Sequence, residues 1–187
     1  MESYDTENND LDIALWPRER AIEYVIDNYG ETVKRIIFTY VKNYVATDDL
    51  FQDFLITVYR RLDSFQGESK LKTWLCRIAI NKCKDHLKSP VNRIIYLREH
   101  IHDTGHSKSP EQLSIKDEER QQLINAIFSL SIKYREVLVL RYYQSLSIKE
   151  ISELLHLNES TVKTRIARGK GKLRSKLGGV QFDEIES

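Results

Sequence analysis

Apolar residues along this chain recur mostly at spacings of three and four, the period of helices that bury one side. From Ile22 onward, Val25, Ile26, Tyr29, Val33, Ile36, Ile37, Tyr40 and Val41 keep that spacing, interrupted only by Gly30, and Trp16-Pro17 marks a boundary before a helix starting near Arg18. A second amphipathic run follows Thr47, which with Asp48 and Asp49 suits a helix N-terminus. Placed about 100° apart, its Leu50, Phe54, Leu55, Val58 and Leu62 share one arc and predict a core face. A third helix is expected over 71–87, with Leu75, Cys76, Ala79, Ile80, Cys83 and Leu87 inward and Trp74, Arg77, Ile78, Asn81, Lys84, Asp85 and Lys88 outward. Ser89-Pro90 and HIHDTGHSKSP carry the clearest loop chemistry. Beyond them the pattern predicts helices over 110–130, 134–143, 147–155 and 160–177.

The expected fold class is therefore all-α, with two small helical domains over 18–88 and 111–178 joined by a flexible linker at 89–110. An acidic mobile tail is expected over 1–17 and a short tail over 179–187. The scarcity of turn-formers, seven Gly and three Pro in 187 residues, agrees with helices rather than a sheet needing many tight turns.

Charge changes the picture more than composition does. The formal net charge of +1 averages an acidic first 50 residues, with 11 acids against 5 bases, and a basic remainder, with 17 against 24. Bases concentrate at 68–98, eight against two acids, and at 160–176, seven with no acid. Two separate surfaces are thus suited to phosphates. The first residues lack the basic start and apolar core of a signal peptide, and no apolar run reaches transmembrane length, so a cytoplasmic protein without direct membrane insertion is expected. Cys76 and Cys83 form no CxxC pair and are expected as free thiols in a reducing compartment.

SLSIKEISELLHLNESTVKTRIARGKGKLRSKL has the organisation of a helix-turn-helix: a short helix after Ser147, a polar turn at 156–159 and a basic second helix. Ser147 and Glu150 have capping-box spacing. On the second helix Val162, Ile166, Leu173 and Leu177 form an inward strip. One flank carries Lys163, Lys170 and Arg174, the other Arg165, Arg168, Lys172 and Lys176, with Thr164, Ala167 and Gly171 as a slim ridge between them. Such a helix can enter a major groove, its long cations reaching phosphates while short residues approach base edges. Ser160 and Thr161 can cap it and offer hydroxyls and amides to a phosphate.

YREVLVLRYYQSLSIKEISELLHLNESTVKTRIARGKGKLR resembles region 4 of the extracytoplasmic-function (ECF) RNA polymerase sigma factors. ATDDLFQDFLITVYRRLDSF resembles their region 2.2, and FQGESKLKTWLCRIAINKCKDHLK resembles regions 2.3 and 2.4, so the likeness spans roughly residues 20 to 177. It departs from the family pattern at Asp53 (usually Glu), Leu55 (Phe), Ser131 (often Pro), Ser152 (Ala) and His156 (the turn Gly).

The resemblance implies a factor that binds core RNA polymerase and directs initiation at promoter DNA. Asp49, Gln52, Asp53 and Ile56 would dock on the clamp helices of the largest catalytic subunit, acids steering and the apolar side chain supplying buried area. The loop 66–72 and the outer face of the third helix would hold the melted minus-ten strand through Lys70, Lys72, Trp74, Arg77, Asn81 and Lys84, with Trp74 read first as a packing anchor of that loop. Lys163, Thr164, Ala167 and Arg168 would read the minus-thirty-five element, beside Ser160 and Thr161. The family commonly has an anti-sigma factor; no residue here proves one.

A conventional operator-binding regulator is the strongest alternative, since it too would use the C-terminal helix pair, but it needs neither the docking face nor the melted-strand surface. An enzyme is not expected: the chain holds no phosphate-cradling glycine loop, nucleophile motif or supported acidic pair. Nor is a metal or other cofactor, because Cys76, Cys83 and His86, or His100, His102 and His106, do not match structural zinc spacings.

Overall fold

The computed structural model of the chain describes residues 12–89 and 115–177. Residues 1–11, the linker expected after Ser89, its histidines and the tail at 179–187 lie outside the described residues. The chain divides into two compact units, 1–93 and 94–187. Among the described residues there is no strand, and the fold is all-α as the periodicity predicts.

The first unit packs three helices, α1 (Arg18–Val41), α2 (Tyr44–Arg61) and α3 (Leu71–Lys88), each against the other two. Their shared core includes Val33, Ile36, Ile37 and Tyr40 from α1, Phe54 and Val58 from α2, and Leu75, Cys76, Ile80 and Cys83 from α3. Leu62 and Leu71, fully buried at the two ends of the α2–α3 connection, close it. Contact with two neighbours widens the apolar arc of α3, so Ile78, expected outward, is buried, while Leu87 near the helix end is only half-buried.

Two boundaries differ from the expectation. The second helix starts at Tyr44, three residues before Thr47, because the Asn43 side chain accepts the Ala46 N–H at 2.9 Å and caps it. Thr47 is instead buried, its hydroxyl donating to the Asn43 carbonyl at 2.7 Å. The acidic tail expected over 1–17 also gives way earlier: a 3-10 turn at Ile13–Leu15 buries Ile13 completely and packs on a second such turn, Leu62–Ser64. Trp16 then meets Tyr24 edge-on at 5.2 Å, and Arg18, paired with Asp63, lies over the Tyr59 ring. The short run Ile13-Ala14-Leu15-Trp16 is too brief to show a period, and the burial of Ile13 comes with the packing of its turn on the turn at Leu62–Ser64.

The second unit comprises α4 (Ile115–Phe128), α5 (Ile132–Leu138), α6 (Ile148–Leu155) and α7 (Glu159–Lys176). The helix expected over 134–143 is α5 continued by a π-helical turn, Val139–Tyr143, after which Ser145 takes a left-handed backbone and the Leu146 N–H reaches back to the Leu140 carbonyl. Arg135 is fully buried and holds the end of α4 by donating from Nη1 to the Phe128 and Leu130 carbonyls at 2.9 and 3.0 Å.

Gly169 of α7 is buried against α5: a Cβ there would sit 3.0 Å from Leu138 Cδ1, whereas one on Gly171 would meet nothing within 4 Å. Gly171→Ala is expected to stabilise the protein by about 1 kcal/mol through helix propensity. Gly169→Ala is expected to destabilise it by about 1 kcal/mol, because overpacking against the buried Leu138 outweighs that gain. Urea unfolding of the two variants checks the difference in sign. Burial also pushes the Cys76 and Cys83 thiols up to about 12 from their ordinary 9.0. Both should resist alkylation at pH 8 until urea is added. Because the folded state keeps these protons longer, the stability they lend is whole below pH 9 and lost as pH rises to 12, which unfolding midpoints across that range would register.

Candidate nucleic-acid interface

The helix pair α6–α7 is built by local chemistry at each end. The capping box forms, with the Glu150 N–H donating to Ser147 Oγ at 3.2 Å and the Ser147 N–H to Glu150 Oε2 at 2.7 Å. His156 adopts the left-handed conformation at φ 55° and ends α6. Ser152 steadies that turn, its hydroxyl donating to the Leu157 carbonyl at 2.7 Å. The cap of α7 is Asn158, not Ser160 or Thr161: its Oδ1 accepts from the Thr161 N–H at 2.9 Å and from Ser160 Oγ at 3.1 Å. The Thr161 N–H and the Ser160 hydroxyl proton are thereby committed within the protein.

Val162, Ile166 and Leu173 of α7 are buried, with Gly169 completing the inward strip, whereas Leu177 follows the helix as its C-cap and is only half-buried. The opposite side of α7 presents Ser160, Lys163, Thr164, Ala167 and Arg168 exposed, with Thr161 half-buried at its edge. Small residues at 160, 164, 167 and 171 form the ridge, and Lys163 and Arg168 flank it. Three of the seven cations of this helix face protein partners. Arg165 Nη1 pairs with Glu136 Oε1 at 3.1 Å, Lys170 lies over Tyr142 and Lys172 over Tyr134. Sequence reasoning counted Arg165 with the phosphate flank; its partner is 29 positions away on α5, beyond any local pattern.

In the first unit, Lys70, Trp74, Arg77, Asn81 and Lys84 follow one side of α3, at the spacing that returns to the same face. Lys72 does not join them: it falls on the far side, near enough to Cys76 to act on its thiol. Trp74 is half-buried and tilts against Phe65 at 5.4 Å, anchoring the α2–α3 connection as expected. On α2, Asp49, Gln52 and Asp53 are exposed and Ile56 stands 50 % exposed among them. Val45 at 73 % exposure and Tyr59 at 41 % extend the same stripe, a feature that the region-based reading missed although their spacing carries it. Asp53 and Asn81 also share a groove between α2 and α3, so the exposed stripe of α2 and the outer side of α3 adjoin.

The sequence matches Sigma-70 region 2 over residues 25–91 and Sigma-70, region 4 over residues 120–173. It is 31 % identical over 163 residues to the ECF RNA polymerase sigma factor SigW of Bacillus subtilis, a match covering 82 % of this chain and 87 % of that protein. This chain is an ECF RNA polymerase sigma factor. The ECF RNA polymerase sigma-E factor of Escherichia coli K12 is 29 % identical over 168 residues, covering 85 % of this chain and 87 % of its own. The fold is also that of the sigma factor RpoE of Bartonella quintana, solved with the anti-sigma factor NepR, with a TM-score of 0.64 at 20 % identity over 85 % of this chain and 98 % of that one. CnrH, solved with the cytosolic domain of CnrY, gives 0.63 at 22 % identity over 92 % and 99 %. Nothing in these matches supports an operator-binding regulator, which has no use for the region 2 match.

The Arg165–Glu136 pair assigns a structural role within the sigma factor's C-terminal unit. Glu136 is 7 % exposed and Arg165 about a quarter, so Arg165→Ala should destabilise that unit by about 1 to 3 kcal/mol. Glu136→Ala combined with it should cost less than the two single changes added together, which a double-mutant cycle by urea unfolding would measure.

Proposed function

We propose that this sigma factor divides its work among three surfaces. Asp49, Gln52, Asp53 and Ile56 on α2 dock on the clamp helices of the largest subunit of core RNA polymerase. Trp74, Arg77, Asn81 and Lys84 on α3, with Lys70 at its N-cap and Lys72 in its first turn, hold the melted minus-ten strand. Ser160, Thr161, Lys163, Thr164, Ala167 and Arg168 on α7 read the minus-thirty-five element. In this reading residues 18–88 and 111–178 are the working domains and 89–110 the linker that lets them span promoter and polymerase. The factor works in the cytoplasm, performs no chemistry of its own and needs no cofactor.

The observation that carries the reading is the exposed, carboxylate-free ridge of α7 between Lys163 and Arg168, held outward by its buried Val162–Ile166–Leu173 strip. On α2, an apolar Ile56 half-exposed among acids suits a partner surface with a basic rim. The sigma factor RpoE, which shares this fold, has been solved with the anti-sigma factor NepR, which extends the partner list of this chain to an inhibitor of that kind.

Purified protein with core polymerase should form open complexes at a promoter bearing both elements, and no open complex there would refute the assignment. Charge reversal at Asp49 and Asp53 should weaken polymerase binding at least tenfold, about 1.4 kcal/mol. Arg168→Ala should lower preference for the correct minus-thirty-five sequence by about 1 to 3 kcal/mol with polymerase affinity intact. Loss of polymerase affinity in that variant would contradict the division of labour.

A further inference from the structure

Two grooves run beside the reading face of α7, and they share Lys133, Tyr134 and Arg168. One passes Thr164 near the start of the helix, and the other follows α7 to Lys172 and Lys176. Lys133 and Tyr134 belong to α5, so one wall of both grooves comes from outside the helix pair. No Asp or Glu lines either groove.

The ring of Tyr134 gathers charge along this wall. Lys133 Nζ lies over it at 5.1 Å and Lys172 Nζ at 5.7 Å, so ammonium groups from two helices converge on one aromatic ring. The ion pairs among the described residues include neither lysine, nor Arg168 or Lys176. Lys133, Arg168, Lys172 and Lys176 are all exposed. Like charges held together without a carboxylate repel one another, and a bound polyanion offsets that repulsion. Continuity with the Thr164–Arg168 face selects duplex DNA over an acidic protein as that polyanion.

We propose that Lys133 and Lys172, positioned by Tyr134, track the phosphodiester backbone of the strand lying beside α7, which makes α5 a third DNA-contacting element. This rests on the reading that α7 enters the major groove. Contacts of this kind set affinity and register without reading sequence.

The test is titration of the full-length protein, assembled with core polymerase, against a duplex carrying its mapped upstream element and a scrambled duplex of equal length, across a salt series. Lys133→Ala and Lys172→Ala should each weaken both duplexes by the same factor and reduce the log–log salt slope by about 0.9. Lys133→Arg should restore the slope. Tyr134→Phe should behave as wild type, while Tyr134→Ala should lose part of the slope, with unchanged thermal midpoints for the lysine variants excluding misfolding. An unchanged slope in Lys133→Ala, with wild-type preference for the upstream element retained, overturns this inference alone and points to an acidic protein as occupant of the groove. Absence of any preference for the upstream element in the wild type overturns the reading of α7 as well.

Discussion

A helix can present a groove-reading face only if its other side is held, and in this protein the hold is the seat of α7 on α5. Val162, Ile166 and Leu173 are buried, and Gly169 lets α7 approach α5 until Leu138 fills the space a side chain would need. The Arg165–Glu136 pair and the Lys170–Tyr142 and Lys172–Tyr134 contacts then border the same seam. The seam therefore turns Arg165 inward and leaves Lys163, Arg168 and Lys172 exposed. A glycine that lowers helix propensity is in this setting a packing residue, and the basic flanks are thinner than the charge count suggests.

The first unit obeys a related constraint. Because α3 packs on both α1 and α2, it has only a narrow free side, and Lys70, Trp74, Arg77, Asn81 and Lys84 lie along it. Burial of Ile78 narrows that side further and puts it next to α2, where Asp53 and Asn81 meet in one groove. The acidic stripe of α2 and the basic side of α3 are thereby neighbours within one compact unit. The exposed Val45 and Tyr59 at the ends of the α2 stripe lengthen its apolar part beyond Ile56.

Much of this was legible in the sequence, for reasons that are local. The period of apolar residues is enough to recognise each helix, since burying one side requires it. The Ser147–Glu150 box needs only residues three apart, and the strip on α7 needs only its own register. The charge-segregated segments and the order of the region 2 and region 4 motifs sufficed for the family. Where local signals competed, reading failed: Thr47 and Asn43 both suit a cap, and which one serves depends on where α1 ends, at Lys42 in its left-handed conformation.

Sequence by itself thus determined the helices, the ridge of small residues on α7 and the class of factor, because periodicity, capping and charge act between near neighbours. Tertiary structure alone decided that Ile13 is core, that Ile78 turns inward, that Lys72 stands apart from the other minus-ten candidates, and that Arg165 answers to Glu136. It alone also brought Lys133 and Tyr134 to the edge of the reading face. Each of these depends on contacts between residues far apart along the chain, and such contacts exist only once the helices have packed.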